Sequence, residues 1–215
     1  MEARIGFGPT ALLVPLGLLV LTLMHTAFGG GPGLWSTNFI ENCEAFIPIA
    51  MGLLSAPLLL VEAEEHTWEL NGMLPVSSIA GVRLLALVGG AWVFTLVWLL
   101  LLRMIWGPVP FWQGVLAAWG PGLFLGGLAT LTGTATGRVS FGYLMAIGIP
   151  VADLVLKLLG GFQAFWPLDL VNVFAYRWAI PFPAWWVVKT VMAVAGLLLY
   201  AVAIRRWRTY GTAEL

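Results

Sequence analysis

VEAEEHTWELNGMLPVSSIAGVR, residues 61–83, is the longest polar interruption in a sequence that is otherwise almost continuously apolar. Four of the ten acidic residues of the chain, Glu62, Glu64, Glu65 and Glu69, fall in its first nine positions. A short amphipathic run and a Leu-Pro-Val-Ser turn follow and open the next apolar segment. The stretch is therefore predicted to separate two membrane-embedded parts of the chain, and its charge favours a docking surface over a plain linker.

The composition indicates an integral membrane protein. Hydrophobic residues make up 60% of the 215 positions, charged residues make up 9%, and the mean hydropathy is +0.95. Soluble domains carry roughly 25% charged residues. A helix needs ~20 apolar residues to cross a bilayer, so the length accommodates about six crossings in one domain, residues 1–215. Because the apolar runs lack the alternation of lipid-facing strands, the predicted fold class is an all-α integral membrane protein.

Six transmembrane helices are predicted, at 9–28, 38–61, 78–105, 111–134, 141–159 and 183–204. The first run is interpreted as a retained helix, because the glycines and proline after it are a poor cleavage context for a signal peptide. Residues 62–77 form the polar connection between the second and third helices. Residues 160–182 are too long for a hairpin turn and too aromatic for a free loop, so they are predicted to lie in the membrane interface or to re-enter it.

Charge and residue usage exclude several classes of function. The formal net charge is zero, so the chain has no electrostatic footprint for nucleic acid. The two histidines, His25 and His66, and the single Cys43 do not form a set with metal-binding spacing. No nucleic-acid partner, metal or cofactor on this chain is therefore predicted.

Two glutamates near the start of the second predicted helix have two interpretations. Thr37 or Asn38 is the predicted N-cap, which puts Glu41 and Glu44 in the first turns, at the positive end of the helix dipole. Capping then explains both carboxylates without a ligand. The alternative is that they line an outer vestibule of a translocation path.

Asp153 and Lys157 lie four positions apart in the fifth predicted helix and share a face. They are predicted to form an ion pair, with Lys157 at the membrane surface and Asp153 about one turn deeper. Charges at such depth are a functional hypothesis by default. A structural role and a place on the translocation path both stay open.

The fourth predicted helix is rich in glycine and threonine. Gly122 and Gly126, and likewise Gly133 and Gly137, have the small-xxx-small spacing that lets membrane helices approach closely. A packing seam is favoured over a substrate path.

The basic residues give the predicted orientation. With alternate connections on opposite sides, one side carries Arg4, Arg83, Arg138, Arg205, Arg206 and Arg208, and the other carries Arg103, Lys157, Arg177 and Lys189. The cluster at 205–208 directly follows a membrane end, which is the strongest single signal. Both termini and the stretch 61–83 are therefore predicted to be cytoplasmic, in a multi-pass protein of the plasma membrane.

The polar stretch carries a family resemblance. It reads Glu62, a polar run, Thr67-Trp68-Glu69-Leu70, Leu74-Pro75-Val76-Ser77, and then Arg83 in the next helix. Between the second and third of six predicted helices, this pattern resembles the type-2 ABC transporter permease family, in which an acidic residue precedes Gly-Thr-Leu-Glu or similar and then Leu-Pro-Val-Ser. Two features depart from the family: only about eight residues precede the first apolar run, and Trp68 replaces a more usual small or aliphatic residue.

The resemblance implies that residues 65–74 are a coupling helix docked on an ATP-binding subunit, and that 160–182 match the re-entrant external helices of the family. The implied docking residues are Glu62, Glu65, Trp68, Glu69, Leu70, Leu74 and Pro75. The implied partners are a dimer of ATP-binding-cassette subunits, a second permease copy or paralogue, and the lipid bilayer. Aromatic, glycine-rich walls with few charges favour export of a hydrophobic or amphipathic substrate, such as a lipid, peptide or antibiotic.

ATP hydrolysis is expected on a separate subunit. A phosphate-binding loop requires G-x-x-x-x-G-K-[ST], and the nearest stretch, GTATGR at 133–138, has neither the spacing nor the lysine. ATP and Mg²⁺ are therefore expected on the partner, and this chain is predicted not to be an enzyme.

Two other functions have some support in the sequence. A secondary transporter with a 3+3 inverted repeat is suggested by Pro48 and Pro57 in the second helix and Pro150 in the fifth. An intramembrane enzyme is suggested by Glu64 and Glu65 beside His66, but two distant histidines do not supply the converging groups that such chemistry needs.

Overall fold

A computed structural model of the protein describes residues 17, 20, 35–60, 76–106, 110–159, 173 and 182–211. Five helices account for most of these residues, and the described ranges contain no strand. We number them α1 (Trp35–Ser55), α2 (Val76–Trp106), α3 (Phe111–Thr136), α4 (Val139–Leu158) and α5 (Phe182–Gly211).

Four of the helices are long and apolar enough to cross a membrane. Their apolar stretches are Gly81–Leu101 in α2, Phe111–Thr136 in α3, Val139–Leu156 in α4 and Ala184–Trp207 in α5. The protein is thus an α-helical membrane protein, as predicted. The borders of α2, α3 and α4 lie within two residues of the predicted ones, which is the usual uncertainty of a helix end. α5 continues seven residues beyond its predicted end, so that the basic cluster is part of the helix.

The helix found at the second predicted crossing ends earlier than predicted. It was expected at 38–61, but α1 ends at Ser55 and residues 56–60 form turns. Pro57 explains the end, since a proline disfavours the helical conformation of the preceding residue and lacks an N–H donor. The apolar part of α1 is Cys43–Ser55. These 13 positions span about 20 Å as a helix, against ~30 Å for the hydrocarbon core of a bilayer.

Six crossings are not confirmed. The first predicted helix, 9–28, lies outside the described residues except for Gly17 and Val20, which are helical. The connection 62–77 is described only from Val76, where α2 begins, and the segment 160–182 only at Val173 and at Phe182, the first residue of α5.

The predicted cap of α1 is wrong. The helix begins at Trp35, before Thr37 and Asn38, and no acidic residue lies in its first turn. Glu44 comes nine positions after the start, whereas the effect of the helix dipole falls off within the first turn. Dipole stabilisation therefore does not account for this carboxylate.

α3 is the central helix. Most of its residues are buried, and it packs against α1, α4 and α5. A side chain at Gly122 would meet Met51 of α1, and one at Gly120 would meet the Lys189 carbonyl of α5. The predicted packing seam is confirmed for the described glycines of the helix interior. Gly137 is different: it ends α3 with a φ of 66°, a conformation that glycine adopts without strain.

The other helices pack around α3, and α2, α4 and α5 expose large apolar side chains on the outside of the bundle. Trp92 of α2 packs on Trp119 of α3 with ring centroids 4.9 Å apart. Elsewhere on these helices, large apolar side chains such as Leu85 of α2, Leu144 of α4 and Leu198 of α5 are exposed. Such faces are suited to lipid.

Candidate functional site

A charged pair lies inside the helix bundle. The Lys189 Nζ of α5 is 2.8 Å from the Glu44 Oε1 of α1, and both side chains have 0% exposure. A charge at membrane depth is costly unless it is paired. The two opposite charges offset each other, and neither head group reaches the surface.

Two further contacts surround this pair. The Trp185 Nε1 donates to the same Glu44 Oε1 at 2.8 Å, and Lys189 Nζ donates to the Val173 carbonyl at 2.6 Å. Trp185 and Lys189 are four positions apart, so they share a face of α5. α5 therefore presents an indole N–H and an ammonium to one carboxylate oxygen, and the same ammonium binds the backbone of the segment between α4 and α5.

Asp153 of α4 adds a second carboxylate to this region. It is buried and close enough to Lys189 for its carboxylate to interact electrostatically with the ammonium. Charges from α1, α4 and α5 thus converge. The Lys157 side chain lies outside the described residues, so the Asp153–Lys157 ion pair stays a prediction.

A second polar link joins α1 to α5 further along. The Ser55 hydroxyl lies 2.6 Å from the Tyr200 hydroxyl and also donates to the Met51 carbonyl at 2.6 Å. Ser55 is separated from Tyr200 by 145 positions, as Glu44 is from Lys189. α1 and α5 therefore run in the same direction, and 11 residues, or about 16 Å, separate the two links.

The second link crosses the surface of α3 at a glycine. A side chain at Gly126 would meet both the Ser55 and the Tyr200 hydroxyl. The Thr130 hydroxyl, one turn later on α3, donates to the Ser55 carbonyl at 2.9 Å. The three helices are consequently linked at this level by one hydrogen bond between two buried hydroxyls and one from a buried hydroxyl to a backbone carbonyl.

The predicted docking residues, Glu62, Glu65, Trp68, Glu69, Leu70, Leu74 and Pro75, lie outside the described residues. Both flanks of that stretch are described. Before it, Leu58, Leu59 and Leu60 are buried. After it, the Arg83 guanidinium of α2 donates to the Leu58 carbonyl at 3.5 Å. The structure thus brings Leu58, which precedes the acidic stretch 62–77, into contact with Arg83, which follows it.

The structure describes the side chains of only two of the four residues predicted to line a vestibule or translocation path. Glu44 binds Lys189, and the buried Asp153 interacts with it electrostatically, whereas the side chains of Glu41 and Lys157 are not among those described. A role of these residues in a vestibule or path stays a prediction. Among the described residues, no three His, Cys, Asp or Glu side chains are grouped to hold a metal ion.

Sequence reasoning missed Lys189 and Trp185 as site residues. The orientation argument places Lys189 among the surface charges of one side of the membrane. A signal was available, because a lysine within an apolar helix requires a buried partner when its head group does not reach water.

Comparisons with protein-family models, with curated proteins and with solved structures find no match to this chain.

Proposed function

We propose that the protein is the membrane-spanning permease subunit of an ATP-driven ABC exporter of a hydrophobic or amphipathic substrate. ATP would be hydrolysed by a separate subunit docked on residues 62–77 on the cytoplasmic side. The observation that carries the proposal is the acidic, Trp-containing stretch between two helices whose flanks meet at Leu58 and Arg83.

The flanks support transmission of force from a docked partner. Leu60 lies beside Gly133 of α3, and the backbone of Ala56 also approaches that glycine. The residues that lead into the acidic stretch are therefore packed between helices. A displacement of the stretch would act on α1 and α3 through this packing, and on α2 through Arg83.

The charge pattern supports a basic partner surface. In a helix over 65–74, Glu65 and Glu69 stack at i, i+4, where like charges repel by a few tenths of a kcal/mol. A basic groove on a partner would offset this repulsion. Trp68 would supply the large apolar anchor that dominates many interfaces, where truncation costs ~2 kcal/mol or more.

A secondary transporter is the second candidate, and one observation favours it. Glu44, Asp153 and Lys189 gather ionisable groups inside the bundle, next to a helix that ends early at Ser55. Ion-driven carriers use intramembrane charges and interrupted helices to bind their coupling ion. In this alternative the acidic stretch is a solvated loop.

The test is purification of the tagged full chain from membranes that also contain its co-expressed ATP-binding-cassette candidate. Wild type should retain a subunit with a phosphate-binding loop and show ATP hydrolysis. Trp68→Ala and Glu69→Arg should lose both, while the protein still inserts. Glu214→Arg makes the same charge change outside residues 62–77, so it serves as the matched control and should retain both.

Retention of the subunit and of hydrolysis by both variants would contradict docking on this stretch. The second candidate is favoured if no such subunit binds and the chain alone in proteoliposomes moves protons in a way that Glu44→Gln abolishes.

A further inference from the structure

α1 is poorly suited to remain in a membrane by its own hydrophobicity. Of the five described helices, it alone lacks an apolar stretch long enough to cross. Its apolar part, Cys43–Ser55, contains Glu44 as its second residue, and Glu41 precedes that part by two positions. Yet Cys43 and Glu44 are fully buried.

We propose that α1 keeps its position in the bundle because Lys189 of α5 neutralises Glu44, so that the last described helix completes the insertion of the first. This inference does not depend on the proposed transport function. It assigns Lys189 a role in assembly: the lysine is a positioning residue for α1 and for the polar stretch that follows α1.

The contacts support this dependence on α5. Both described donors to the Glu44 Oε1, the Lys189 ammonium and the Trp185 indole, belong to α5. The second link of α1, at Ser55, also goes to α5, through Tyr200. α5 therefore holds α1 at two levels about 16 Å apart.

If Glu44 were not buried in the bundle, its carboxylate would lie in water. A carboxylate away from water is expensive unless it is paired and hydrogen-bonded. Lys189 does not extend to the surface, because its side chain has 0% exposure. Removing the ammonium alone would leave the Glu44 carboxylate inside the bundle without this countercharge, and withdrawal of the N-terminal part of α1 towards water would relieve the resulting cost.

α5 is synthesised after α1, so the countercharge in α5 is made later than Glu44. α5 begins at residue 182, 127 positions after the end of α1 at 55. At synthesis rates of about 5–20 residues per second, Lys189, which is 145 positions after Glu44, would be made roughly 7–29 s later. Stable docking of α1 is therefore expected to follow the synthesis of α5.

The natural cysteine of the chain can report whether α1 is buried in the bundle. Cys43 is its single cysteine, is adjacent to Glu44 and has 0% exposure. A thiol protected in the bundle reacts slowly with a maleimide, and one that reaches water reacts fast. Reactivity of Cys43 with N-ethylmaleimide therefore reports whether this part of α1 is docked.

The experiment uses full-length chains synthesised cell-free into inverted membrane vesicles, so that every variant is produced. Wild type should label slowly relative to the detergent-denatured chain. Lys189→Met should raise the labelling rate at least tenfold. Thr190→Met, at the neighbouring exposed position of the same helix, is the control and should label as wild type does.

The double variant Glu44→Gln with Lys189→Met separates charge from packing. It removes both charges, so protection should return to within about threefold of wild type. Protection of Cys43 in Lys189→Met would overturn the proposal. Equal labelling of the single and double variants would also overturn it, because the effect would then come from the lost bulk of Lys189 and not from the loss of its charge.

Discussion

Gly126 of α3 offers a sharp test of the packing at the centre of the bundle. A methyl group at this position would overlap the Tyr200 hydroxyl oxygen and lie 2.7 Å from the Ser55 Oγ. Tyr200 is 1% exposed, so its ring is enclosed by neighbouring residues. Gly126→Ala should therefore separate α3 from α5 or break the 2.6 Å Ser55–Tyr200 hydrogen bond.

The expected magnitude follows from three contributions. Overpacking of a tight site typically costs about 1–3 kcal/mol. Loss of one buried hydrogen bond costs about 0.5–1.5 kcal/mol. Replacing glycine by alanine within a helix contributes about 1 kcal/mol in the stabilising direction. Gly126→Ala should consequently lower the free energy of unfolding by about 0.5–3.5 kcal/mol.

The assay is reversible unfolding of the purified chain in mixed micelles with increasing SDS. Gly89→Ala on α2 and Gly148→Ala on α4 are matched controls, since nothing lies within 4 Å of a side chain at either position. Both controls should change stability by less than about 0.5 kcal/mol or increase it.

A double-mutant cycle tests the cause. In a Tyr200→Phe background the overlapping hydroxyl is absent, so Gly126→Ala should cost at least about 1 kcal/mol less than in wild type. The reasoning is refuted if Gly126→Ala is as stable as the controls, or if its cost is the same in both backgrounds.

Three other outcomes are expected. Gly196→Ala should destabilise the protein more than Gly126→Ala in the same assay, because the new methyl would overlap the backbone of Leu123, which moves less easily than a side chain. In a Cys43→Ser background, thiols introduced at Glu2 and Thr212 should resist a membrane-impermeant reagent in intact cells while one at Gly31 reacts; labelling at either terminus would mean that the crossing count or the orientation is wrong. The chain purified alone should not hydrolyse ATP, because its sequence lacks a phosphate-binding loop, and robust hydrolysis without a co-purifying ATPase would contradict the proposed division of labour.

The sequence by itself determined the protein class and the borders of α2, α3 and α4. Hydropathy and helix-ending residues are local properties, so an apolar run of some 20 residues predicts a membrane helix whatever its neighbours are. The spacing of Gly122 and Gly126 predicted close packing for the same reason, because these residues lie on one face of one helix. The end of α1 was missed since residues 56–60 are nearly all apolar, and hydropathy does not distinguish a buried turn from a helix.

Only the tertiary structure decided which charges meet. The sequence predicted a pair between Asp153 and Lys157, four positions apart, because local spacing is visible in one dimension. Glu44 and Lys189 are 145 positions apart, and they come together because α1 and α5 pack on the same central helix and run in the same direction. Their contact depends on helix packing over the whole bundle, since a buried charge is stable only where folding brings an opposite charge within hydrogen-bonding distance.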